Sequence, residues 1–180
     1  FVFSTIGYEQ EDVLDGVREI LGDVPMCGAT FEGIIGRDFA DESMYALQIV
    51  GIRSDKIKFH NFCAEDIVRK PLEAGHKIGR EIVSVKDLGN RVVFLFPDFR
   101  SNVSWLFEGI EEHVTLPFIG GVSGDNLKFQ QCHQFHNGAL KEEACSGVLM
   151  VGEFELKTIV THGSEPVGQK RVVTRSEIGR

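Results

Sequence analysis

Positive charge is scarce in this 180-residue sequence: 19 Lys and Arg stand against 27 Asp and Glu, a formal net charge of −8. That shortage argues against a nucleic-acid partner, which needs a Lys/Arg-rich face, and lends no support to an anionic membrane surface. Long apolar runs are missing too. The longest are short, such as Val92 to Phe96, and a bilayer span needs about 20 residues. No secretory signal is visible. The chain opens directly in a strand-like FVFS without an initiator Met, so it reads as an excised fragment. Cysteine is limited to Cys27, Cys63, Cys132 and Cys145, irregularly spaced and without a CxxC. A structural zinc site finds no motif here. A chain of this length needs no disulfide staples, so the four read as free thiols of a reducing, cytoplasmic compartment.

What is present is ordinary for a globular domain: 42% hydrophobic and 26% charged residues. The 20 glycines announce many tight turns or close backbone approaches.

Residues 1–4 read as a buried strand. Val13, Leu14, Val17, Ile20 and Leu21 fall at helical spacing within a helix over 9–22, with Glu9, Glu11 and Asp12 at its positive end and Gly22 as its stop. A short strand over 25–29 and a glycine-marked turn follow. Residues 44–52 and 56–62 then read as a hairpin around Arg53-Ser54-Asp55. Residues 64–82 read as a helical segment that Pro71 kinks or restarts. The order then repeats: a strand over 92–96, a helix over 100–114 with Val103, Leu106, Phe107, Ile110 and Val114 on one face, and a strand entry Leu116-Pro117-Phe118-Ile119-Gly120 that matches Val24-Pro25-Met26-Cys27-Gly28. Ala144 to Gly152 matches Ser43 to Gly51, and Leu156 to His162 reads as the counterpart of strand 57–62. An insertion over 128–138 reads as an extra hairpin turning at Asn137-Gly138. The expected fold is therefore mixed α+β. Two similar β-α-β-hairpin halves, 1–63 and 91–163, form mixed sheets with helices packed outside, joined by the segment 64–82.

Three segments could carry chemistry. Gly120-Gly121-Val122-Ser123-Gly124-Asp125-Asn126 follows a predicted strand; its backbone N–H groups and the side chains of Ser123, Asp125 and Asn126 are either ligand contacts or parts of a plain turn. It is neither a phosphate loop nor a GxSxG elbow. Gly28 and Thr30 stand at the equivalent point of the first half, where Thr30 and Glu32 could face the same cleft. His162 lies in the Gly/Pro-shaped run 161–168, as a polar contact or a structural histidine. Cys132, His133 and His136 lie close in sequence, but in a strand residues three apart face opposite sides, so no metal set is expected. No catalytic residue is assigned and no cofactor is expected. In this reading a ligand sits near the ends of the strands 25–29 and 117–121, with Asp125 toward an amino group and the glycine N–H groups toward a carboxylate.

Taken in order, PMCGATFEG, FIGGVSGDN, HQFHNG…SGVLMVG and THGSEPVG…VVT resemble the N-terminal domain of the FIST (F-box and intracellular signal transduction) family across essentially the whole chain. The resemblance implies a sensory domain for a small molecule, amino acids being the usual suggestion. It implies as partners a C-terminal FIST domain, beyond residue 180, and a fused or associated signalling output protein. The alternatives are a protein-interaction module that recruits partners or substrates without a small ligand and, more remotely, an enzyme of unknown chemistry.

Overall fold

The computed structural model describes residues 1–159 and 163–175. The elements run β1 (Val2–Ser4), α1 (Gln10–Leu21), β2 (Cys27–Thr30), β3 (Ile34–Ile35), β4 (Ala40–Asp41), β5 (Leu47–Ile49), β6 (Ile57–Ala64), α2 (Pro71–Ser84), β7 (Asn90–Pro97), α3 (Val103–Glu111), β8 (Phe118–Gly120), β9 (Gln134–His136), β10 (Ala139–Lys141) and β11 (Cys145–Gly152). A first sheet has the order β10-β9-β2-β1-β5 and a second the order β6-β11-β7-β8; β3 and β4 form a small ribbon. The fold is mixed α/β with its helices outside, as the element pattern predicts. Among the described residues no helix is long and apolar enough to cross a membrane.

Strand alternation sets the layers. Val2 of β1 faces α1, joining Val13, Leu14 and Val17 of that helix with Met26 and Phe135. Its neighbours Phe1 and Phe3 face the other way, against Phe94 and Phe96 of β7. These rings, with Cys27, Ala29, Phe31, Phe59 and Val148, form a layer between the sheets. The far face of the second sheet offers Phe62, Val93, Leu95, Cys145 and Leu149 to Ile78 and Ile82 of α2 and Leu106 and Ile110 of α3. The order across the molecule is helix, sheet, sheet, helix pair, and both sheets are apolar on two faces because both are covered on two faces.

Each half begins with a strand, a helix and a parallel strand. Val2 lies opposite Gly28 in the first sheet and Leu95 opposite Gly120 in the second. Both glycines have positive φ, 153° and 149°. A Cβ there would fall 1.8 Å from the Val2 carbonyl oxygen and 1.9 Å from that of Leu95. Only glycine allows this approach, so the matched Pro-x-x-Gly entries mark one backbone device used twice. An antiparallel strand, β5 or β11, takes the other side of β1 or β7.

The structure corrects four of the expected elements. Residues 44–52 and 56–62 do not pair: β5 joins β1 in the first sheet, and β6 crosses to β11 in the second. The polar turn is real, with Ser54 Oγ accepting from the N–H groups of Lys56 and Ile57, but it marks a change of sheet. The Val-Gly match also slips, because Ile49 stands opposite Val2 whereas Gly147 stands opposite Leu95. The helix expected over 64–82 starts at Pro71, in the first turn where a missing N–H costs nothing, and runs to Ser84. Residues 156–159 make no strand pairing, and the remainder of that expected strand, His162 included, lies outside the described residues.

Candidate functional site

Strands β2, β7 and β8 end at the same edge of the sandwich, and the loops that follow them meet there. The chain from β8 to β9 must pass from the second sheet to the first, and the expected ligand loop is that passage. Ser123 N–H donates to the Pro97 carbonyl at the end of β7 (2.8 Å), and the next residue, Gly124, donates to the Thr30 carbonyl at the end of β2 (2.8 Å). Gly121 N–H reaches the Leu95 carbonyl at 3.3 Å. The backbone donors expected to hold a ligand carboxylate thus bind the two sheets to each other.

The side chains are engaged as well. Thr30 is fully buried, and its Oγ1 accepts from His133 N–H (3.0 Å). Ser123 Oγ donates to the Pro97 carbonyl (3.1 Å), accepts from Gln134 Nε2 (2.9 Å) and lies 2.8 Å from Cys132 Sγ. None of these partners is a base. Burial, partly offset by the bond to Ser123, pushes the Cys132 thiol up to about 11. The arrangement therefore lacks an activated serine or thiolate at neutral pH. Burial likewise raises Cys27 to about 12 and Cys63 to about 11, and all four cysteines are unpaired.

Asp125 does not wait for a ligand amino group. It is 2% exposed. Its carboxylate accepts from the N–H groups of Phe129 (2.8 Å), Gln130 (2.6 Å) and Gln131 (2.9 Å). The expected role of an open, ligand-facing carboxylate is thereby corrected. A short acidic side chain four residues before three unpaired N–H groups folds the loop on itself, as Asx chemistry favours. Burial opposes ionisation, yet these bonds together hold the carboxyl below the usual range. What they fix is unusual: Asn126, Leu127 and Phe129 all sit in the left-handed region, at φ 61°, 58° and 54°, a costly conformation for such residues.

A second acid braces the loop from below. Asp98, fully buried, takes two bonds from Arg100, at 3.0 Å from Nε and 2.7 Å from Nη2, and a third from the Arg100 N–H at 2.9 Å. Arg100 Nη1 also points to the Gln130 carbonyl. Sequence reading missed this pair. The signal was present as P-D-F-R at a strand end, but an Asp two residues before an Arg is too common to single out.

The cleft that results has a volume of about 350 Å3. Its walls are Phe31, Glu32 and Gly33 after β2, Phe99 after β7, and Val122 to Asp125 with Phe129 from the crossing loop. Ser123, Gly124 and Asp125 line it; Gly28, Thr30, Gly120, Gly121 and Asn126 do not. Phe99 and Phe129 meet edge to face at 5.9 Å. Phe129 and Leu127 stay 68% and 70% exposed.

A model of the FIST N domain matches residues 1–180. The uncharacterized protein MJ1623 of Methanocaldococcus jannaschii is 22% identical to this chain over 177 residues, covering 93% of this chain and 34% of that protein. The chain thus spans about a third of the length of that relative. No solved structure matches. The FIST domain is associated with signal transduction as a sensory module. The motifs, their order and the match along the whole length agree, and the chain belongs to the FIST family as its N-terminal domain.

Proposed function

We propose that this domain senses a small molecule in the cleft between the ends of β2 and β8, and passes its occupancy to a C-terminal FIST domain and a signalling output protein. The observation that carries the reading is the crossing loop. Three non-glycine residues are held in left-handed conformations by one buried carboxylate, so that Phe129 stands half over the cleft. Strain so firmly braced is characteristic of sites with a task. The cleft offers three aromatic rings and the Glu32 carboxylate, which suits a ligand with an apolar body and an ammonium group, such as an apolar amino acid. Binding would seat Phe129 and bias the two sheets, which this loop bridges at Ser123 and Gly124.

Thermal-shift screening of amino acids and amines against the complete protein tests it. A saturable ligand raises the melting temperature by mass action. Glu32→Gln is expected to weaken that ligand about tenfold, in line with loss of one charge-assisted contact, and Phe129→Ala to weaken it similarly. A ligand insensitive to both changes binds elsewhere and overturns the site. A second reading has its own observation: Val122, Leu127 and Phe129 form an exposed apolar rim, the sort of patch by which a module recruits a partner protein. In that case Leu127→Ser abolishes partner capture while no metabolite shifts the melting temperature.

A further inference from the structure

The edge of the first sheet at β5 is unprotected. In an antiparallel ladder backbone groups alternate toward and away from the neighbour. Val50 N–H bonds the Phe1 carbonyl and Thr5 N–H the Ala46 carbonyl, so Leu47 and Ile49 direct theirs outward. Residues 45–52, Tyr-Ala-Leu-Gln-Ile-Val-Gly-Ile, carry no charge. Leu47, Ile49 and Ile52 are 41%, 46% and 49% exposed, beside Ile20 of α1 at 79%. Two other sheet edges are defended with charge. The β6 edge carries Lys58 and His60, both paired with Asp87, and β10 carries Lys141 paired with Glu65. A bare apolar edge invites another strand.

The second sheet shows what occupies the corresponding place. There the antiparallel neighbour of the leading strand, β11, is flanked by β6, the strand that follows β5 in the chain. If the halves are copies, the segment that follows β11 should flank β5 in return. We propose that in the complete protein residues 154–159, Phe-Glu-Leu-Lys-Thr-Ile, which pair with no strand in this structure, add to β5 as the sixth strand of the first sheet. The segment has the right pattern, with Phe154 and Leu156 partly buried and Glu155 and Lys157 exposed. It also starts from the right place. Glu153 N–H bonds the Lys56 carbonyl at the start of β6, next to an apolar cavity of about 450 Å3. That cavity opens between the sheets, with Ile49 and Ile52 on one wall and Phe59 and Val148 on the other. A strand leaving Glu153 for β5 passes over it and closes it. This inference is independent of the ligand reading, since it concerns the opposite end of β2.

Hydrogen exchange on the complete protein decides it. Alternate amides of 155–159, together with those of Leu47 and Ile49, are expected to be protected at every protein concentration. Replacing 155–159 by a Gly/Ser run of equal length should speed exchange at Leu47 and Ile49 at least tenfold while leaving β11 and α2 unchanged. Three results overturn the proposal: amides of 155–159 that exchange as in a free peptide, protection that vanishes on dilution, which would make the partner a second copy, or Leu47 and Ile49 indifferent to the replacement, which would mean another segment covers the edge.

Discussion

At the scale of single residues, Asp125 shows how an acidic group beside glycines can be misread. Its neighbours made it look like a ligand contact, and in sequence a binding carboxylate and a loop-folding carboxylate are identical. The difference lies in the three N–H groups of Phe129, Gln130 and Gln131 that the loop turns back toward it. Asp125→Ala strands those donors, so it is expected to cost about 2–3 kcal/mol of stability in urea unfolding, with Asp125→Asn milder. A stability change near zero would restore the open-carboxylate reading. Titration gives a second handle. Burial lowers the pKa of His133 and of His136 below the ordinary value near 6.5. The unfolded chain then binds protons that the folded one refuses, so stability is full above about pH 6.5 and falls as the pH drops toward the folded values. Asp98 and Asp125 act lower. Burial raises each pKa, but hydrogen bonds, from Arg100 in one case and from backbone N–H groups in the other, outweigh it. Their contribution is complete above the usual carboxylate value of about 3.9 and is lost as the pH falls through the lower folded values. Urea midpoints should therefore decline in two stages, and a His133→Gln, His136→Gln variant should flatten the upper one.

At the scale of elements, glycine chemistry separates what the sequence conveys from what it hides. Gly16 lies in α1 with open space around it, whereas a Cβ on Gly109 of α3 would fall 2.3 Å from the Leu72 carbonyl oxygen of α2. Gly16→Ala should therefore stabilise by about 1 kcal/mol, the helix-propensity difference. Gly109→Ala gains the same propensity but forces the two helices apart, an overpacking cost of about 1–3 kcal/mol; its net effect should be destabilising, with chemical denaturation as the measure. Helical periodicity placed α1 and α3, a short apolar run β7, the match to Ser43–Gly51 the β11 segment, and the Asn-Gly turn signal the 137–138 hairpin; each of these is a pattern within a short stretch of chain. Such patterns failed where the outcome depends on a distant partner. Strands β5 and β6 look like a hairpin because their turn is polar and short. They part because β6 buries Phe59 on one face and Phe62 and Ala64 on the other, which suits it to a covered sheet flanking β11. The cleft was legible as a place, from two glycine-closed strand ends, and Glu32 was legible with it, but Phe99 and Phe129 were not, since they come from separate loops with no shared motif.

At the scale of the whole molecule, the aromatic layer makes the two sheets one cooperative body. Phe96 touches Phe1, Phe3 and Phe31 across the interface. Phe96→Ala is expected to cost about 3–5 kcal/mol, with circular dichroism and tryptophan fluorescence of Trp105 following a single shared transition; separate transitions for the two sheets would refute that unity. The traffic of strands between sheets carries the point further. Strand β6 belongs by sequence to the first half but by pairing to the second sheet, while β9 and β10 come from the second half and complete the first. Severing the chain in the exposed stretch around Leu88 would therefore yield two pieces, each an incomplete sheet holding a strand that only the other can seat. Neither piece should persist alone, yet mixed together they should find each other and reconstitute the domain. A molecule that looks like a tandem duplication would thus behave as an obligate heterodimer whose subunits are joined by one dispensable peptide bond.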